Sequence, residues 1–194
     1  MNVSAHNPGG KVKVRLDESV VGNAFLHGPG NCYRTWLTRV WGRRRSPHAF
    51  LPAHFILWIG LNPSTADASF NDPTIGREMD FSMAWDADAL VKCNIADYRA
   101  TDPKTLTAPG VVPCSRINLP MIRDIAKQAD RIVVGWGSME KVRSLTHLAV
   151  DVESALRADG HKLWCLGLTK NGGPRHPLYV LGSTPLVEFK DLRI

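Results

Sequence analysis

The chain has 194 residues, 44% of them apolar and 22% charged, which suits one soluble globular domain able to bury a core without staples. Lys and Arg outnumber Asp and Glu by 24 to 18, and this basic balance, with a pI near 9.4, permits partners that carry phosphate. No apolar run approaches the roughly 20 residues needed to span a bilayer, so no membrane partner is expected.

Residues 1–31 are punctuated by Asn7-Pro8-Gly9-Gly10 and His27-Gly28-Pro29-Gly30, and read as an N-terminal arm with one or two edge strands. A single α/β domain is expected over 32–194. The stretch 33–41 alternates and is rich in β-formers, which predicts a strand. Around it crowd Arg34, Arg39, Arg43, Arg44 and Arg45, as a solvated turn or as a contact to a phosphate backbone. Residues 54–61 are almost wholly apolar, as in a strand covered on both faces, and Asn62-Pro63-Ser64 stops the run. A helix is expected over 73–89, with Asp72 as N-cap and Pro73 in its first position.

A second buried strand follows over 89–95, then a loop over 97–113 held by prolines. The spacing predicts a helix over 118–130, a third strand over 131–137, a long amphipathic helix over 139–158 and a fourth strand over 162–167. Alternation of this kind predicts a three-layer α/β/α fold around a central, mostly parallel sheet. Loops at the carboxyl ends of such strands gather in one cleft, so Asn62, the Asn94 loop, residues 135–138 and His176 are expected to share it. The cysteines Cys32, Cys93, Cys114 and Cys165 stand singly, with no Cys-x-x-Cys pair. No metal or other cofactor is therefore expected. Reduced thiols, and a start over 1–15 without a basic-then-apolar leader, point to the cytoplasm.

Several motifs carry a resemblance. Gly-Leu-Asn-Pro-Ser-Thr-Ala-Asp (60–67), Asn-Asp-Pro-Thr-Ile (71–75), Arg-Ala-Thr-Asp-Pro (99–103), Trp-Gly (136–137), Cys-Leu-Gly-Leu-Thr-Lys (165–170) and Arg-His-Pro-Leu-Tyr (175–179) look like a bacterial family described as a domain of unknown function. More distantly, the same segments resemble the uracil-DNA glycosylase superfamily. Residues 60–64 are similar to its Gly-Ile-Asn-Pro-Gly motif, whose Asn positions the attacking water, and 73–77 to a stretch whose aromatic stacks on the base. Residues 94–99 are similar to the motif whose Asn reads the base edge, 132–137 to its Val-Ile-Val-Leu-Leu-Gly strand, and His176-Pro177 to the His-Pro-Ser motif that contacts the base carbonyl. The resemblance implies that fold and a nucleobase pocket. The chain departs from the pattern at Thr74, where the aromatic would stand, at Leu178, where Ser is usual, and in lacking the iron–sulfur cysteines.

Residue chemistry gives each position two readings. Asn62 has an amide suited to holding one water, or is a turn residue before Pro63. His176 is a donor for a base carbonyl, or a turn residue satisfied by backbone. Asn94 lies inside an apolar strand, where an unpaired amide costs about 1–3 kcal/mol; a ligand edge and a neighbouring carbonyl are equal candidates to pair it. Asp67 is the freer carboxylate for general-base work, while Asp72 is accounted for as a cap, and Asp97 and Asp102 hold turns. Arg77, Arg99, Lys170 and Arg175 suit phosphates or form a solvated rim. Ser64 and Thr74 complete the expected substrate wall, and residues 169–173 offer amides to a phosphate. The leading expectation is a nucleobase- or nucleotide-directed enzyme, a glycosylase-like hydrolase cleaving an N-glycosidic bond. The alternative is a non-catalytic nucleic-acid-binding module that keeps the fold.

Overall fold

The computed structural model describes residues 4–10, 12–42, 51–52 and 54–190. Its centre is a seven-stranded mixed sheet. In chain order the strands are β1 (Val14–Arg15), β2 (Val21–His27), β3 (Tyr33–Val40), β4 (Ile56–Gly60), β5 (Phe70–Asn71), β6 (Ala89–Asn94), β7 (Arg131–Val134), β8 (Leu163–Cys165) and β9 (Val187–Glu188). The main sheet runs β2-β3-β6-β4-β7-β8-β9, while β1 and β5 pair apart from it. The four central strands β6, β4, β7 and β8 are mutually parallel. β2, β3 and β9 join antiparallel, so the expected mostly parallel sheet is instead mixed. For β2 and β3 the reason is local: they are linked by a tight turn at Gly28 to Asn31, and so short a connection can only reverse the chain.

Among the described residues three α-helices cover the sheet: α1 (Pro73–Ala84), α2 (Asn118–Ala126) and α3 (Thr146–Ala158). Alternate residues of β4 enter two separate cores. Ile56 and Trp58 pack with Ile75, Met79 and Phe81 of α1, whereas Leu57 and Ile59 pack with Ile122 and Ile125 of α2 and Val152 and Leu156 of α3. Both sets are withdrawn from water, each large side chain contributing about 1.5–3 kcal/mol. The indole of Trp58 is satisfied on the α1 side, where it donates to the Ser82 hydroxyl at 2.9 Å.

Three helices differ from the sequence expectation. α2 stops at Ala126 rather than running to 130, the Gln128 and Ala129 amides turning back to the Ile125 and Ala126 carbonyls. α1 ends at Ala84, because Asp86 takes a left-handed φ of 59° and the Ala87 amide turns back to the Ser82 carbonyl. The helix expected over 139–158 is divided into a 3-10 stretch, Glu140–Leu145, and α3. Val142 and Leu145 dip from that stretch into a small core with Ala96, Ala100 and Leu106, which fixes the loop after β6. No helix of the described residues is long and apolar enough to cross a membrane.

Candidate functional site

The site is built at the carboxyl ends of the parallel strands, on the face that α1 covers. Register pairs Lys92 with Trp58 and Asn94 with Gly60, so Lys92, Asn94 and Gly60 face α1 as Trp58 does. Lys92 is 3% exposed and its Nζ donates to Glu78 Oε1 of α1 at 2.5 Å, with Glu78 fully enclosed. Burial pushes the Glu78 carboxyl above the usual carboxylate range, and the Lys92 ammonium opposes that shift. Gly60 permits this crossing. A Cβ there would lie 2.5 Å from Lys92 Nζ and 3.0 Å from Asn94 Oδ1.

Asn94 is 1% exposed, and neither its Nδ2 nor its Oδ1 has a hydrogen-bond partner among the described residues. Its backbone is well held, since its carbonyl accepts from Asn118 Nδ2 at 2.9 Å and the following Ile95 amide donates to the Gly60 carbonyl. The side chain alone is left unpaired. The second oxygen of Glu78 and the Nε of Arg34 are orphaned too. Buried polar atoms are satisfied in roughly 90% of cases. Asn118 Oδ1 and Trp136 Nε1, on the opposite side of the sheet, are orphaned as well, so what sets Asn94 apart is that both ends of one buried carboxamide are unpaired.

His176 sits on a 3-10 turn, Pro177–Tyr179, that packs against α1. The segment is tied down where the Gly137 amide donates to the Pro174 carbonyl and Arg77 Nη2 donates to the Val180 carbonyl at 2.8 Å. The Nδ1 of His176 accepts from the Leu178 amide at 3.3 Å, which places the proton of the neutral ring on Nε2 as a donor. Burial pushes the imidazole down to about 4, with the Lys92 ammonium adding to the shift and the Asp72 carboxylate opposing it. The ring is therefore neutral at physiological pH. Gly137, with a φ of 78°, would bring a Cβ within 3.3 Å of the His176 Cβ, so the close approach needs glycine.

The remaining expected site residues fall into two groups. Thr74 is half-buried in the first turn of α1, behind Asp72, whose Oδ1 caps the Ile75 amide at 3.0 Å. Asn62 follows β4, but its Nδ2 is spent on the Ala100 carbonyl at 2.6 Å and the Pro63 carbonyl at 3.1 Å; its Oδ1 has no hydrogen-bond partner among the described residues. Ser64 bonds the Thr101 hydroxyl at 2.8 Å. These contacts fasten the loop after β4 to the loop after β6.

Asp67 is occupied elsewhere, its Oδ1 accepting from the Ser69 and Phe70 amides and its Oδ2 lying 3.9 Å from Lys13 Nζ. Asp72, not Asp67, is the carboxylate whose charge reaches His176. Arg99 is buried and holds the Asn31 carbonyl, while Arg175 is exposed and donates to the Leu168 carbonyl. Lys170 is exposed. In its loop the Thr169 and Gly172 amides bond within the loop itself rather than opening to a phosphate. Asp102 holds a turn, as expected, through the Lys104 amide, whereas Asp97 is fully buried and instead ties distant segments together, accepting from the Ser115 amide and hydroxyl and from the Thr35 hydroxyl.

The arginine crowd near the start is corrected by the structure. Arg34 and Arg39 are buried rather than solvated, because each donates to carbonyls of the segment after β4: Arg34 to Ala66, and Arg39 to Asp67 and to Phe70 of β5. Arg43, Arg44 and Arg45 lie outside the described residues. Sequence reading missed Lys92 and Glu78. Their signal was a lysine in the otherwise apolar run Ala-Leu-Val-Lys-Cys, and a glutamate at helical spacing from Ile75 and Ser82 on the buried face of α1. No group of three His, Cys, Asp or Glu side chains among the described residues is arranged to hold a metal.

The chain belongs to the family described as Protein of unknown function (DUF1643), whose model matches residues 34–178. Comparison with curated proteins and with solved structures gave no match.

Proposed function

We propose that this DUF1643 protein takes a nucleobase, on DNA or a nucleotide, into the site between Asn94 and His176 and hydrolyses its N-glycosidic bond, on a three-layer fold of the uracil-DNA glycosylase kind. The observation that carries the reading is the Asn94 carboxamide, buried with neither donor nor acceptor paired. An amide held in that state is the complement of a base edge, which offers a donor and an acceptor side by side. Asn94 reads the edge, and the Nε2–H of His176 donates to a base carbonyl as negative charge grows there. The glycosidic electron pair leaves with the base, water oriented by the Asn62 Oδ1 adds to the sugar carbon, and the proton that the water gives up ends on the departed base. Asp72, which caps α1 through Oδ1 and whose charge reaches His176, takes the role of stabilising the cationic sugar in this reading, in place of the Asp67 expected from sequence.

The test is to incubate the protein with single strands and duplexes carrying deaminated and oxidised bases, and to read abasic sites by alkaline cleavage. Product that disappears in Asn94→Ala and His176→Ala supports the proposal. No product across the panel at high enzyme defeats hydrolysis.

One observation favours a second reading, a binding module without chemistry: the Asn62 amide donors are spent on the Ala100 and Pro63 carbonyls, and Thr74 supplies no aromatic for a flipped base to stack on. Salt-dependent affinity for nucleic acid that survives Asn62→Ala and His176→Ala, with no abasic product, selects that reading.

A further inference from the structure

We propose that Arg34 and Arg99 form an anion site beneath the N-terminal segment 4–10, which lifts as a strap to admit an oxyanion, either free phosphate or the phosphate of a nucleotide.

The two arginines stand on paired backbone. Tyr33 bridges Tyr98 in antiparallel register, the Arg34 amide donates to the Asp97 carbonyl at 2.9 Å, and the Arg99 amide donates to the Cys32 carbonyl at 2.8 Å. Arg34 is 1% exposed and Arg99 7%. Each gives one nitrogen to a carbonyl, Arg34 Nη1 to Ala66 at 2.7 Å and Arg99 Nη1 to Asn31 at 3.1 Å, and each keeps a buried Nε without a partner. Arg39 differs, with its Nε, Nη1 and Nη2 all bonded. Among the described residues neither Arg34 nor Arg99 forms an ion pair. The charges of Asp72 and Asp67 reach them only at longer range, and both carboxylates already accept from backbone amides. Burial lowers the Arg34 guanidinium to about 10, with Asp72 opposing the shift and Arg99 adding to it, so it stays charged at neutral pH. Two like charges withdrawn from water and within reach of each other are stabilised by a shared counter-ion. Guanidinium forks suit the oxygens of a phosphate.

Segment 4–10 lies across this pair. His6 Nε2 donates to the Arg99 carbonyl at 2.6 Å, and its ring meets Tyr98 edge-on at 5.1 Å. The His6 amide donates at 2.7 Å to the carbonyl of Gly30, beside the Asn31 that holds the Arg99 guanidinium. The Thr101 amide donates to the Pro8 carbonyl at 2.8 Å. No residue of 4–10 is buried, so a few hydrogen bonds hold the strap, and it can part from the domain without unfolding the sheet. It also precedes residues 34–178, the part of the chain that the family model matches.

Gly10 gives a way to lift the strap in the full chain. A Cβ there would lie 2.5 Å from Thr65 Cγ2 and 2.8 Å from Thr101 Oγ1, so Gly10→Val cannot keep the same seat. Calorimetric titration with inorganic phosphate at constant ionic strength is expected to show about tenfold or more tighter binding in Gly10→Val than in the wild type. Hydrogen exchange at the Thr101 amide is expected to speed up while β4 and β7 stay protected. The gain in affinity is expected to vanish in Gly10→Val/Arg99→Gln and in Gly10→Val/Arg34→Gln. His6→Ala removes the contact to the Arg99 carbonyl without a clash; it is expected to move phosphate affinity in the same direction, and it decides if Gly10→Val does not fold. Faster exchange without tighter phosphate binding overturns the proposal. So does a gain that survives both arginine substitutions, or a Thr101 amide that stays protected in both strap variants. A nucleoside monophosphate that binds Gly10→Val more tightly than inorganic phosphate does assigns the site to a nucleotide, and equal affinity assigns it to the free ion. Inorganic phosphate carries no base, so failure here leaves the nucleobase reading standing.

Discussion

The ammonium of Lys92 and the carboxylate of Glu78 meet at 2.5 Å between the sheet and α1, with both side chains withdrawn from solvent. Two charges taken out of water cost each other's hydration, so such a pair adds little net stability over an apolar pair of similar volume. Breaking it is another matter. Lys92→Met or Glu78→Leu alone leaves one buried charge without its counter-ion and is expected to cost about 3–5 kcal/mol, while the double substitution stays near the wild-type value. Urea unfolding of the three variants checks this; similar losses in all three would contradict it.

Asn94 gives the opposite relation between stability and function. Its amide carries two unsatisfied buried atoms, each worth about 1–3 kcal/mol of desolvation when unpaired. Asn94→Leu is therefore expected to leave stability unchanged or raise it by about 1 kcal/mol, while abolishing nucleoside binding. Thermal unfolding and calorimetry on the same sample separate the two effects. A variant that is less stable yet binds normally would assign the amide a structural role.

His176 makes a pH prediction. Its folded value near 4 lies below the ordinary 6.5, so the unfolded chain binds the proton more readily. Stability from this group is complete above about pH 6.5 and falls as pH drops toward 4, levelling below that. The loss is at most about 3 kcal/mol. Unfolding midpoints from pH 7 to pH 4 should fall less steeply for His176→Gln than for the wild type. An imidazole titrating near 6.5 by NMR would refute the assignment.

Arg39 is expected to matter for stability rather than for phosphate binding. Its guanidinium donates to the Asn71 Oδ1 at 2.7 Å, the Thr38 carbonyl at 2.8 Å, and the Asp67 and Phe70 carbonyls at 2.6 and 2.8 Å. Lysine cannot reproduce a planar fork, so Arg39→Lys should cost at least about 2 kcal/mol and speed amide exchange over 67–71. The salt dependence of any nucleic-acid affinity should stay unaltered. A changed salt slope with normal stability would restore the phosphate role.

Much of the scaffold was legible in the chain. The runs behind β4, β6 and β7 are apolar enough to be sealed on both faces, and Asp72-Pro73 announces the start of α1 through a cap and a residue that needs no amide partner. Strand direction was less legible. β2 and β3 look like any other strands, and only the length of the link between them forces reversal. The 139–158 run has unbroken helical spacing, but Val142 and Leu145 are pulled toward the loop after β6, a destination that periodicity cannot express.

The site divides the same way. The sequence by itself determined where the apolar strands stop, which sets Asn62 just past β4 and Asn94 at the end of β6. The expectation that His176 follows a strand directly fails, since it stands eleven residues beyond β8. The tertiary structure alone decided which of them have hydrogen bonds to spare. It engaged Asp67 and Arg99 in turns and loops, drew Arg34 and Arg39 inside, and joined Lys92 to Glu78 across fourteen positions of chain. Whether a side chain is satisfied depends on distant atoms that packing brings within about 3 Å, and no local pattern of residues encodes that distance.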